Sequence, residues 1–187
     1  MKISSRGWCV VGGFAALVVG ASALAFSPGL AAQSSPGVLT NESLGESLRE
    51  IGLRPEQDGQ RYDFSFKADY QGQEWEFTMS AVLSQNGESL WVMAWLDELP
   101  KSSEAVPKTA LLRLLANNDR LGKGKFFAYV HENRRFVIQR VLDNKELSTA
   151  KVRNVLQDLG VSVAETYDYW AVENWTKDQT THATASQ

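Results

Sequence analysis

The sequence predicts an α+β fold with the order helix, three strands, helix, two strands, helix, and three features carry that prediction. Residues 106–118 have the apolar spacing of an amphipathic helix and run directly into a β-hairpin over 124–130 and 135–142, the first strand of which alternates. Residues 61–96 hold three strand-like runs whose connections are too short for parallel crossovers, so antiparallel pairing is expected. Residues 148–170 carry the longest stripe, with Val152, Val155, Leu156, Leu159, Val163, Tyr167 and Trp170 at spacings of three and four.

Taken in order, the chain begins with Lys2 and Arg6, followed by an apolar run over 8–26 that ends in small residues, the layout of a signal peptide. Cleavage is expected after Ala25 or after Ala32. The second is favoured because Pro28 and Gly29 break the helix just ahead of it. An uncleaved anchor is the alternative, because the run approaches the ~20 residues that span a bilayer. In both cases the two basic residues mark the cytoplasmic side, and the body of the protein faces away from it. The one cysteine, Cys9, lies inside this run, too early for a lipid-modified position. The remainder therefore has no disulfide, no thiolate metal site and no cysteine nucleophile.

Residues 33–39 form a short Ser/Pro/Gly linker. Thr40 then suits a helix N-cap, with Leu39 and Leu44 placed as a hydrophobic staple across it. Leu44, Leu48 and Ile51 share one face, Gly52 stops the helix, and residues 55–59 read as a turn. In the first strand Tyr62, Phe64, Phe66 and Ala68 alternate with polar residues. After a turn at Gln71-Gly72, Trp75, Phe77, Met79, Ala81 and Leu83 do the same. Asn86-Gly87 is a two-residue hairpin signal. The run 90–96 is apolar on both faces, as a central strand covered on both sides would be.

In the second helix Pro107 suits the first turn, and Asn117, Asn118 and Gly122 supply stop chemistry. With Leu111 set at zero and ~100° per residue, Leu115 lies near ~40° and Leu112 and Ala116 lie on one flank. Leu111 and Leu115 are expected to face the sheet. Leu112 and Ala116 are left for a two-fold partner, the basis for expecting a homodimer. Asn133 marks the last hairpin turn, and Ser148 opens the final helix. Gly160 is a candidate kink, and residues 177–187 have the composition of a disordered tail.

The element order, and above all a helix ending Leu-Leu-Ala-Asn117 followed by Gly124-Lys-Phe126 and a hairpin, resembles the type III secretion chaperone-like fold. Within it the likeness is closer to the bacterial sensory-transduction regulator (YbjN-like) family, and it covers roughly residues 40–172. The resemblance implies a non-enzymatic, commonly dimeric module that binds other polypeptides. Type III chaperones act in the cytosol, whereas this chain carries an export signal.

Composition narrows the function classes. Removing residues 1–32 leaves 17 basic against 22 acidic residues, and this acidic balance argues against nucleic acid as a partner. No metal or cofactor site is expected: His131 stands alone at a hairpin tip and His182 lies in the tail. Glu74 and Glu76 share a strand face and superficially suggest acid–base chemistry, but a solvated face accounts for them. There is no Gly-x-Ser-x-Gly nucleophile elbow. Gly122-Lys-Gly-Lys125 lacks the strand-then-helix context of a phosphate loop. Arg134, Arg135 and Arg140 suggest a modest basic spot of the salt-bridging kind. The best functional hint is aromatic: Trp91, Met93 and Trp95 share one strand face. If helices cover only the other face, these three present a surface for a protein or peptide partner. The sequence reading is thus an exported binding module of the cell envelope; an envelope enzyme or a scaffold without its own ligand are the alternatives. If the N-terminal segment is a cleaved signal, intact mass of the protein recovered from the soluble envelope fraction starts near Gln33; a mass that includes Met1, in the membrane fraction, means an anchor.

Overall fold

The computed structural model describes residues 37–175. The expected signal segment, most of the expected linker and the expected tail lie outside the described residues. The elements are α1 (Asn41–Glu50), β1 (Glu56–Asp58), β2 (Arg61–Tyr70), β3 (Gln73–Leu83), β4 (Ser89–Glu98), α2 (Lys108–Leu121), β5 (Lys125–Val130), β6 (Arg135–Asp143), α3 (Thr149–Glu165) and α4 (Tyr167–Trp170). They form one antiparallel six-stranded sheet in the order β1-β2-β3-β4-β6-β5, with the helices as a second layer. The α+β class and the expected element order are observed. The addition is β1, a three-residue strand within the segment read as a turn, which pairs with Arg61, Tyr62 and Asp63.

The two β-turns exchange roles relative to expectation. Gln71 and Gly72 both have positive φ, 55° and 75°, directly between the paired residues Tyr70 and Gln73. That is the tight mirror-image turn whose twist matches a hairpin. The loop carrying Asn86-Gly87 is longer. It spans residues 85–88, closed by a Ser84 N–H to Ser89 carbonyl bond of 2.8 Å, and only Gly87 has positive φ. The Asn86 side chain accepts from the Glu88 N–H, which favours this wider loop.

Strand pairing divides the side chains of the sheet between two faces. Tyr62, Phe64, Phe66 and Ala68 pair with Ala81, Met79, Phe77 and Trp75, and the row continues through Leu90, Val92 and Ala94 to Ile138 and Phe127. This face holds the core. The helix α1 meets it where the Tyr62 hydroxyl donates to the Asn41 carbonyl at 3.1 Å. Thr40 caps α1 as expected, in a reciprocal pair with Ser43. The helix α3 packs across β2, β3, β4 and β6. The α4 residue Tyr167 meets Trp75 edge-on, with ring centroids 5.2 Å apart.

Three expectations about the helices need correction. Gly160 does not kink α3, which runs through it to Glu165. A Cβ at Gly160 would lie 2.9 Å from the Ala68 Cβ, so the glycine permits close approach of helix to strand. The break comes at Thr166, whose hydroxyl donates to the Ser162 carbonyl at 2.7 Å. In α2 the buried residues are Ala110, Leu114 and Asn117; Leu115, expected to face the sheet, is 62% exposed. The apolar arc of this helix is wider than the contact it makes, so composition alone does not fix its rotation. Asn117 also does not stop the helix. Its amide donates to the Arg113 carbonyl inside it, and the end comes at Gly122, φ 61°.

Two polar clusters hold the layers in register. Asn144, almost fully buried, donates to the carbonyls of Leu39 and Gly87 and accepts from the Leu39 N–H, tying the N-terminal segment to the β3–β4 loop. Asp158 of α3 receives Lys123, Lys125 and Arg140 at 2.6, 2.9 and 3.5 Å. Burial acts most strongly on its carboxyl and pushes the pKa up, but the two lysines together outweigh burial and hold it below 3.8. A depressed carboxyl contributes stability above its unfolded value and loses it as pH falls through the lower folded value. Stability should therefore drop on acidification below about pH 4, and Asp158→Asn should remove that component and cost about 3 kcal/mol by leaving Lys125 buried without its charge partner. Gly160→Ala should also destabilise, by about 1–3 kcal/mol of overpacking, despite the better helix propensity of alanine. Denaturant titration at pH 7 and pH 3.5 reads both.

Candidate functional site: the uncovered sheet face

The second face of the sheet has a different make-up. The helices make their described side-chain contacts with the core face or along the β5 side of the sheet. The reason lies in the connections: antiparallel neighbours joined by short turns leave the longer excursions, which contain the helices, to fold back on one side. The doubly covered centre expected for β4 is therefore not found. Its inner residues Leu90, Val92, Ala94 and Leu96 are buried, while Trp91 on the outer face is 37% exposed.

Trp91, Met93 and Trp95 are brought together on this face, as the sequence pattern predicts. Val82 and Val141 among their pairing partners extend them into a patch, while Ser80, Val137 and Gln139 on the same face are buried. Trp91 sits between Val82 and Val141, Met93 between Ser80 and Gln139, and Trp95 beside Val137. One strand further, Phe126 lies opposite Gln139 and Ala128 opposite Val137. The outer residues of β6 were missed as site residues. Their alternation was legible, but only the strand order shows that β6 lies beside β4.

The half of this face built by β2 and β3 is charged and internally paired. Lys67 meets Glu74 at 2.7 Å, and the Glu74 bond is the main cause holding the Lys67 ammonium above its ordinary 10.5. Ser65 donates to Glu76 at 2.5 Å. The two glutamates are thus occupied in exposed cross-strand pairs. At the junction, the Trp95 indole N–H donates to the Ser80 hydroxyl at 2.6 Å. Ser80 donates to Asp63, which Arg61 holds at 2.9 Å. This chain fixes the Trp95 ring while Trp91 and Met93 keep a free surface.

Two other surfaces bear on binding. Because the pairing of β1 with β2 stops at Asp63, the rest of the outer edge of β2 has no strand partner among the described residues. A groove of about 850 Å³ runs beside it, lined by Ile51, Leu53, Arg54, Phe64, Phe66, Arg153 and Gln157 among others. An unpaired strand edge beside a groove is suited to an extended peptide. The second surface is on α2, where Leu112 (64% exposed) and Ala116, the expected dimer residues, lie on the outside together with Leu115.

The remaining sequence candidates are dispersed. His131 is exposed at the β5–β6 turn, its ring against Tyr129. Arg134 donates to the Leu99 carbonyl at one end of β6 while Arg140 meets Asp158 near the other, so the expected basic spot does not exist as one site. Among the described residues, no group of three or more His, Cys, Asp or Glu is placed to hold a metal, and no helix is long and apolar enough to cross a membrane.

No protein-family profile matches this chain, and no curated protein sequence matches it. Among solved structures it is similar to a HopA1–SchA chaperone–effector complex, with 13% identity, 67% of this chain and 88% of that chain covered, and a TM-score of 0.44. It is also similar to an ExsC–ExsE complex, with 15% identity, coverage of 70% and 93%, and a TM-score of 0.47. Similarity of this degree assigns no partner, so the functional reading rests on the surfaces themselves.

Proposed function

We propose that this protein is a non-enzymatic module that binds polypeptides through the uncovered face of its sheet. The observation that carries the reading is the half-exposed Trp91 and Met93 row, continuous with Val82 and Val141 and bordered by the paired charges of β2 and β3. Apolar centre and charged rim are the make-up of a protein interface. The free edge of β2 favours a polypeptide over a small molecule, because its backbone groups are matched by another backbone. Membership of the YbjN-like regulators belongs to the same reading.

We further infer that the protein works outside the cytoplasm, after export on its N-terminal segment, and as a homodimer. The support for a dimer is the outer stripe of α2, where Leu112, Leu115 and Ala116 put two exposed leucines and an alanine within one turn. Leu112→Glu should give a folded monomer in light scattering at tens of micromolar, where the wild type is a dimer. A monomeric wild type contradicts the dimer.

For the binding face, Trp91→Glu with Met93→Glu should leave stability within about 1 kcal/mol, because both side chains keep a solvent-facing surface. The same variant should lose the polypeptides that the wild type retains from an envelope fraction. It should also lose the fluorescence that an apolar naphthalene dye gains on the native protein. Retention of the same polypeptides at wild-type yield by the folded variant overturns this reading.

A further inference from the structure

The cluster around Asp158 holds more positive charge than its structural role requires. Lys125 is the structural member. Its side chain is 5% exposed, and its ammonium donates to the Ser162 hydroxyl at 2.7 Å and meets Asp158 Oδ2 at 2.9 Å. Those contacts are sufficient to bury it. Lys123 and Arg140 converge on the same carboxylate, yet neither is needed for that burial. Lys123 is 67% exposed and meets Oδ1 at 2.6 Å; Arg140 is 21% exposed and its Nη1 reaches Oδ2 only at 3.5 Å. This is the one described polar contact of the Arg140 side chain, so a guanidinium with five donors is largely removed from water around a single, marginal bond. Three cations facing one carboxylate leave a formal surplus of two positive charges in a partly desolvated cluster.

Backbone geometry brings the cations there. Gly122, Lys123 and Gly124 all have positive φ, at 61°, 51° and 71°, and the Lys125 N–H returns to the Gly122 carbonyl at 3.0 Å. Lysine in the left-handed region is strained, and no buried contact of its own compensates for the strain. The two glycines border open space, with no atom within 4 Å of a Cβ at either position. Register places Arg140 directly opposite Lys125, and α3 supplies Asp158 and Ser162 above them.

We propose that this cluster, formed by the turn before β5, by β6 and by α3, is a binding site for a dianionic phosphate group. Arg140 presents its fork to two of the phosphate oxygens. Lys123 swings from Asp158 to a third, and the Lys125–Asp158–Ser162 trio stays in place as the fixed floor. Charge selects the class of ligand, because a surplus of two matches a phosphate monoester above its second pKa of about 6 or the dianion of inorganic phosphate, whereas a carboxylate neutralises half of it. The lysines act here through their side chains. No helix N-terminus takes part, so this is not the arrangement of a nucleotide phosphate loop.

Titration calorimetry of the protein with inorganic phosphate at pH 7.5 and fixed ionic strength tests the site, with acetate as the monoanion control. Phosphate should bind saturably and about tenfold or more tighter than acetate, and Lys123→Gln and Arg140→Gln should each weaken it by roughly tenfold. At pH 5.5, where phosphate is mainly a monoanion, binding should weaken in parallel. Lys123 is exposed but shares Asp158 with Lys125, so Lys123→Gln should stay folded with only a slightly lower melting temperature, and that variant decides the matter even if Arg140→Gln unfolds. Glycerol phosphate and vesicles of phosphatidylcholine containing phosphatidic acid separate the two sources of the group. Binding of the first without sedimentation on the second assigns a soluble ester, and sedimentation lost in Lys123→Gln assigns a lipid headgroup. Phosphate no tighter than acetate, or phosphate binding unaffected by Lys123→Gln, overturns the proposal.

Discussion

The close approach of α3 to the sheet at Gly160 is the contact on which the rest of the structure depends. A helix that meets four strands can cover a six-stranded sheet only if its axis lies near the strands, and the absent side chain at Gly160 lets it settle on Ala68 and Phe66. From that position α3 sets the depth of Leu156, Leu159 and Val163 in the core, all fully buried. It also presents Asp158 to the lysines of the β5 turn. The chain then turns at Thr166, so that α4 brings Tyr167 and Trp170 over Trp75 and closes the same face.

One-sided coverage follows, and with it the surface proposed to bind polypeptides. All the longer connections return to the α3 side, so the outer face of β4 and β6 keeps the side chains that a second helix layer would have covered. The sequence supplies large apolar residues there instead of the charged ones found on the β2–β3 half of the same face. An exposed tryptophan and a half-buried methionine weaken solubility without adding to the core. The hydrogen-bonded path from Trp95 through Ser80 to Asp63 and Arg61 prevents the patch from collapsing on itself. A fixed ring beside two freer apolar side chains suits the contact with another molecule proposed for this face.

Much of this was legible in the sequence, and the failures have physical causes. Alternation located three of the five long strands, a continuous apolar run and a hairpin turn located the other two, and Thr40, Ser148 and the spacing of Leu44 and Leu48 placed the helices, because each of those signals is local. Strand β1 escaped because three residues, all exposed, carry no periodicity. Gly160 looked like a weakness of α3 because the reason for it, Ala68, lies on another element. The rotation of α2 was misjudged for a similar cause: its apolar arc allows several rotations, and contacts with β5 and α4 select one. Within the site, Trp91, Met93 and Trp95 were visible as a face of one strand. Val82, Val141 and Phe126 became part of it only through the strand order, which a linear pattern does not encode. The buried Asn144 staple gave no signal, since its partners Leu39 and Gly87 are far away in sequence.

Hydroxyl-radical footprinting of the protein with and without a captured polypeptide tests the central claim most directly, because it reports side-chain exposure residue by residue. The account predicts that oxidation of Trp91 and Met93 falls several-fold on binding, with a smaller fall at Val141, while the exposed side chains of α3 are unchanged. Oxidation of Trp91 and Met93 at the free rate in the complex, with protection confined to the helical layer, would contradict it.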